Sequence, residues 1–238
     1  MTKLDARRIQ RSIKIAAFLL TLATGLGIYL LIFNTSIFSG DKSENLSTDP
    51  LGGPIEVQPT TKISPDSNRY LTGEGDYTFI EYIDLACNVC ALQHNTIKTL
   101  RDQFAGKISF GIKHFPINVH PTSRQRAIAA ECAGRQDKFL EFVDAAFALP
   151  DLTQDPTDEL STIAISLQLN SDDFNSCLVD STVVDQITTD ASEAMATAAK
   201  GVPHSILIDN SNGDLVATFE GRLTDVQFTT QLERLISQ

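Results

Sequence analysis

A Cys-x-x-Cys pair set between a run of strand character and a run of helical character is the feature of this chain that leaves the fewest folds open. Tyr77-Thr78-Phe79-Ile80-Glu81-Tyr82-Ile83 is rich in β-branched and aromatic residues and reads as a buried strand. Cys87-Asn88-Val89-Cys90 follows almost at once, and Cys90, Ile97, Leu100 and Phe104 then recur at helical spacing. A cysteine at such a junction meets the unpaired amides and the positive end of the helix, which favour its thiolate. Cys87 is therefore read as the exposed sulfur that attacks or is attacked, and Cys90, one turn deeper and shielded, as the resolving sulfur.

The chain then turns at Gly106-Lys107 into a second strand over residues 108–115, ended by Pro116. Residues 121–148 carry one helical pattern, marked by Ile128, Cys132, Phe139, Phe142, Val143 and Phe147. Two or three more helices are expected over residues 156–199, opened by Thr157-Asp158-Glu159 and by Ser171-Asp172-Asp173. Residues 205–208 and 215–219 flank Asn210-Ser211-Asn212-Gly213, a hairpin signal, and a last helix is expected over residues 224–236. A parallel βαβ unit joined to an antiparallel hairpin, with helices against the sheet, is an α/β sandwich.

Upstream of this domain, residues 15–33 carry no charge for 19 residues, enough for a helix to cross a bilayer core. Lys3, Arg7, Arg8, Arg11 and Lys14 precede it against the single acid Asp5, and this cationic flank is expected to stay cytoplasmic. Residues 1–14 are thus read as a cytoplasmic basic segment, 15–33 as an uncleaved transmembrane anchor and 34–69 as a Pro-, Gly- and Ser-bearing linker. Residues 70–238 form the domain, on the far side of the membrane. Its acidity excludes nucleic acid as a partner: formal net charge is −11 overall, and residues 151–199 hold ten acids and neither Lys nor Arg.

Other residues carry rival readings. Cys132 and Cys177 lie in the helical block, and four cysteines in an exported domain favour a structural disulfide between them; two buried free thiols or a redox relay are the alternatives. Cys87 and Cys90 could instead form a soft metal site with His94, but no second Cys-x-x-Cys or His-x-x-x-His completes a zinc set, so no metal is expected. Glu81 is a carboxylate in an apolar strand, either poised as a proton acceptor or turned to solvent. Asp84 is read as a cap on the approach to the helix. His94, His114 and His120 are read as surface or hydrogen-bonded histidines. Pro203, in Gly201-Val202-Pro203 directly before a strand, fits a strand's first residue or a cis turn.

Three segments carry a family resemblance: FIEYIDLACNVCALQH, KHFPINVHPTSRQRAIAAECAGRQDKFLEFVDAAF and GVPHSILIDN. Through them the domain resembles the DsbA-like, thioredoxin-fold disulfide oxidoreductases. That resemblance implies a thioredoxin-like fold with a helical insertion over about residues 117–199. It also implies a cis Val202-Pro203 loop beside the cysteines, able to pair with an extended substrate peptide, and Glu81 as the semi-buried carboxylate that helps move the proton of Cys90. Cysteine-containing exported proteins are the implied substrates, a quinone-linked membrane oxidoreductase the implied electron acceptor, and the periplasmic side of the cytoplasmic membrane the implied location. No dissociable cofactor is implied. Asn88 and Val89 depart from the aromatic or histidine residues common between the family's cysteines, and neither adds positive charge. This dipeptide leaves the redox direction open; a dithiol oxidase is the reading taken, with a reductase or isomerase, or a metal-binding module, as alternatives.

Overall fold

The structure, a computed structural model, describes Ile63, residues 69–149 and residues 155–237. The expected basic segment and membrane anchor, and the linker apart from Ile63 and Arg69, lie outside the described residues. Among the described residues no helix is long and apolar enough to cross a membrane.

Strand β1 (Tyr77–Ile83) leads into helix α1 (Asn88–Gln103) and returns as β2 (Ile108–His114). Five helices follow: α2 (Ser123–Gly134), α3 (Phe139–Phe147), α4 (Thr157–Ser166), α5 (Ser171–Leu178) and α6 (Ser181–Ala196). The hairpin β3 (His204–Asp209) and β4 (Leu215–Glu220) and the final helix α7 (Asp225–Ile236) complete the domain. The sheet order is β2-β1-β3-β4, with β1 parallel to β2 and antiparallel to β3. The strand that delivers the cysteines is therefore central, and apart from its first residue it is buried throughout.

Alternation along β1 feeds two cores. Phe79 packs with Ile97, Leu100, Phe110, Phe219 and Phe228 between the sheet and helices α1 and α7. Ile80 and Tyr82 point to the other face, where they meet Ala194 of α6, Ile206, Leu215 and Ile63. Each such side chain contributes about 1.5–3 kcal/mol of burial relative to exposure. Ile63 also donates its amide to the Gly213 carbonyl at 3.1 Å, so this residue of the expected linker is docked on the hairpin.

The single helical pattern expected over residues 121–148 is two helices. The break falls at Asp137, whose φ of 60° lies in the left-handed region that ends a helix. Cys132 and Phe139 are seven residues apart, a spacing that keeps an apolar stripe in phase, so the hydrophobic pattern carries no trace of the interruption. α7 starts where a capping box places it, with Thr224 and Gln227 each satisfying the other's backbone amide.

The helical block holds its own core, built around Phe142, Val143, Leu160, Phe174 and Ile187, and this core is continuous with Ile83, Leu85, Cys87 and Cys90. Cys132 of α2 and Cys177 of α5 are bonded within it. Arg69 and Tyr70 tie the start of the domain to the block. Arg69 reaches Glu131 and Asp190 at 2.9 Å each, and Tyr70 stacks on Phe139 with ring centroids 3.7 Å apart.

Candidate active site

After Ile83 the chain leaves the sheet through a turn built on Asp84. Its carboxylate is buried and saturated: the amides of Ala86 and Ile117 donate to it at 2.8 and 2.9 Å, and the Ser123 hydroxyl reaches both oxygens at 2.7 Å. His120 Nδ1 lies 2.9 Å from its Oδ2. Asp84 therefore binds the cysteine turn to the loop and helix that follow β2. That role is wider than the helix-approach cap expected of it, because four of its partners come from residues 117–123 or from the turn itself.

The Cys87 amide donates to the Asp84 carbonyl at 3.0 Å, which sets Cys87 in an extended conformation at the N-cap of α1. Its sulfur accepts the Cys90 amide at 3.4 Å. Hydrogen bonding from the Cys90 thiol is the strongest influence on Cys87 and lowers its pKa from 9.0 to about 6. Burial opposes this, while the amides of Cys90 and Val89 and the charge of His120 reinforce it. Cys90 is shifted the other way, well above a free thiol, first by burial and then by its hydrogen bond to Cys87 and the charges of Cys87 and Glu81. The two sulfurs thus differ in the way that an attacking thiolate and a protonated reserve thiol must differ.

Cys87 is not the exposed sulfur expected from its position: only 7% of the residue is accessible. Beside it is a depression too tight to admit water, lined by Ala86, Asn88, Ala91, Arg126, Phe147 and Leu149. The Arg126 guanidinium holds the rim by donating to the carbonyls of Leu85 and Ala146 at 2.9 and 3.2 Å. Val89 and Leu92 stand exposed on the first turns of α1 beside it.

The Val202-Pro203 peptide bond is cis. His204 pairs with Tyr82 in the sheet, so Pro203 lies at the end of β1 from which the cysteine turn departs. Val202 packs against the same apolar cluster as Ile83, Cys87 and Cys90. The Pro203 carbonyl accepts the Gly221 amide at 2.9 Å. Two segments far apart in sequence, Cys87–Cys90 and Val202–Pro203, therefore converge on one end of the sheet.

Glu81 is fully buried, and neither carboxylate oxygen has a hydrogen-bond partner within the protein. Its Oε2 lies 3.5 Å from Nδ1 of His94, itself buried on α1 one turn beyond Cys90. Nε2 of that ring is 2.9 Å from Asp144 on α3, and Asp144 also accepts from Lys98 at 2.7 Å. Burial alone would raise the pKa of Asp144, but the hydrogen bonds from Lys98 and His94 bring it below the ordinary carboxylate value. Sequence reasoning did not single out Asp144 or Ser123, since each meets its partner only through tertiary contact. His94 is turned to two carboxylates, and among the described residues no group of three or more His, Cys, Asp or Glu side chains is arranged to hold a metal ion.

The chain is similar to known proteins in sequence and in fold. The sequence model of the family described as Thioredoxin matches residues 73–226. The chain belongs to that thioredoxin family. The domain has the thioredoxin-like α/β fold with a helical insertion between β2 and β3. Wolbachia pipientis alpha-DsbA1 superposes with a TM-score of 0.62 at 23% identity, covering 70% of this chain and 90% of that one. A periplasmic thioredoxin-like protein from Salmonella enterica serovar Typhimurium gives a TM-score of 0.57 at 15% identity, covering 71% and 90%. A curated relative, the Na(+)/H(+) antiporter NhaA of Herminiimonas arsenicoxydans, is 26% identical over 130 residues. The aligned part takes in 55% of this chain and spans only 20% of the antiporter's length.

Proposed function

We propose that the chain is a dithiol oxidase for exported cysteine-containing proteins, with Cys87 as the sulfur attacked by substrate and Cys90 as its disulfide partner and leaving group. The observation that carries this reading is the opposite displacement of the two thiols. A Cys87 pKa of about 6 stabilises the reduced pair, and a pair whose reduced form is stabilised gives up its disulfide readily and so oxidises other thiols. A substrate thiolate attacks Cys87 Sγ, the Cys87–Cys90 bond breaks with its electron pair on Cys90, and a second substrate thiolate then expels Cys87. Substrate is oxidised by two electrons and the pair is reduced. Glu81 exchanges the proton of Cys90, and the Val202-Pro203 loop offers its backbone to an extended substrate segment, with Val89 and Leu92 as apolar contacts.

The same reading takes residues 15–33 as a single-pass anchor in the cytoplasmic membrane, with the domain on the periplasmic side. A quinone-linked membrane oxidoreductase in the same plane would return the pair to the disulfide. The 19-residue uncharged run and its cationic flank support the anchor. The test is refolding of a reduced multi-cysteine protein by the oxidised full-length chain, with Cys87→Ser and Cys90→Ser as controls. Recovery of native disulfides that either substitution abolishes is expected. Equilibration with glutathione that placed the pair at a thioredoxin-like potential, about −270 mV, would assign it to reduction instead.

A further inference from the structure

We propose that His94 and Asp144 form the route by which the proton of Cys90 passes between Glu81 and solvent, so that the helical insertion supplies the outer end of a proton relay. This rests on the exchange reading of Cys87, Cys90 and Glu81 given above. Glu81 sits at the centre of the central strand, fully buried and without a hydrogen bond inside the protein. A carboxylate so placed cannot trade protons with water directly. The His94 ring faces it on one side: Nδ1 is 3.5 Å from Glu81 Oε2, an ion-pair distance without a hydrogen bond, and Nε2 is 2.9 Å from Asp144 Oδ1. Asp144 has 44% of its side chain exposed, so the path ends in water. Phe147 lies against the ring with centroids 5.3 Å apart, and the ring itself is buried.

Imidazole suits this position because it can take a proton at one nitrogen while releasing one from the other. During oxidation of substrate, the S–S bond breaks and Cys90 leaves as a thiolate. It takes a proton from the Glu81 carboxyl, Glu81 takes one from His94 Nδ1, and His94 Nε2 takes one that enters from water at Asp144. One proton is drawn from solvent and one is delivered to sulfur, with no other change in the relay. During reoxidation the sequence runs outward. The charged neighbours of the path are Lys98, which bonds Asp144, Arg101 of α1, which feels Glu81 and Asp144, and Glu141 of α3 beside Asp144. In register with Glu81 on the flanking strands stand Ile112 and Ser205, neither charged.

The test is rapid mixing of the reduced full-length chain with an aromatic disulfide that releases a coloured thiolate. The first release reports attack by Cys87. The second reports attack by Cys90 on the mixed disulfide and requires that Cys90 lose its proton. His94→Gln and Asp144→Asn are expected to slow the second release selectively, by about tenfold or more near neutral pH, and to make it depend on buffer concentration. Added imidazole is expected to restore it in His94→Ala. Asp144 is on the surface, so its variant tests the relay even where His94 substitutions disturb folding. A second release within about twofold of the unsubstituted chain in both variants between about pH 6 and 8 would overturn the relay while leaving the exchange reading standing. A first release no faster than that of a free cysteine peptide would overturn both.

Discussion

The amide of Cys90 donates to the sulfur of Cys87 at 3.4 Å, so the reactive cysteine is itself the N-cap of the helix that carries its partner. Cap side chains are ordinarily Ser, Thr, Asp or Asn, and a thiolate can take the same place because it too accepts from the first-turn amides. The arrangement couples the charge of Cys87 to the integrity of α1, and several consequences can be measured.

The depressed Cys87 pKa makes the stability of the reduced protein depend on pH. With a folded value of about 6 and an ordinary value of 9.0, the stabilisation is fully present above pH 9 and is lost as pH falls through 6. The difference in melting temperature between the reduced and oxidised forms should therefore shift in favour of the reduced form from pH 6 to pH 9. The penalty from the elevated Cys90 value sets in only as pH rises past the ordinary thiol value of 9.0, the upper edge of this range. A difference independent of pH across that range contradicts the assignment.

Glu81 is held at a cost. A fully buried carboxylate without a hydrogen bond opposes folding, and replacement of such groups by apolar residues is often stabilising. Glu81→Leu should raise unfolding stability by about 1 kcal/mol or more in urea while slowing attack by Cys90. Loss of stability together with unchanged exchange would show that the residue is structural.

Asp84 should behave in the opposite sense. Its removal leaves the amides of Ala86 and Ile117 and the Ser123 hydroxyl without their acceptor in a buried site. Asp84→Ala is expected to cost about 3 kcal/mol or more, since hydrogen bonds to charged groups contribute roughly 1.5–3 kcal/mol each. A cost below about 0.5 kcal/mol in chemical denaturation, the level of an ordinary surface change, is the result that argues against this clamp.

The Cys132–Cys177 bridge closes a separation of 45 residues. In the chain-entropy account its loss costs about 4 kcal/mol. The double Ser variant should therefore unfold at lower denaturant while still releasing both thiolates from the aromatic disulfide. Loss of exchange in a variant that remains folded would instead give this pair a redox role.

What the sequence discloses about such a site depends on how far its parts lie apart along the chain. The cysteine pair and the strand before it are legible because one short stretch holds the strand, the turn and the helix start. Glu81 stands out because a carboxylate interrupts an apolar run. His94 and Asp144 are 50 residues apart on different helices, and nothing in the local pattern of either announces the other. The same holds for Asp84 with Ser123 and for Arg126, a guanidinium buried under the rim of the site. α2 illustrates a different limit: Ala127, Ala129, Ala130 and Ala133 are all buried, so the helix lacks the one-sided stripe from which its packing could have been read. The burial of Cys87 is not legible in the sequence, because Phe147 and Leu149 beside it belong to the insertion, whose placement periodicity does not fix.

The central claim is that Cys87 is a thiolate at neutral pH, and the pH dependence of its alkylation in the reduced full-length chain tests this most directly. With Cys90 protonated and buried, iodoacetamide should label Cys87 first, with a rate that reaches half its plateau near pH 6. A midpoint near 9, that of an unperturbed thiol, would contradict the account.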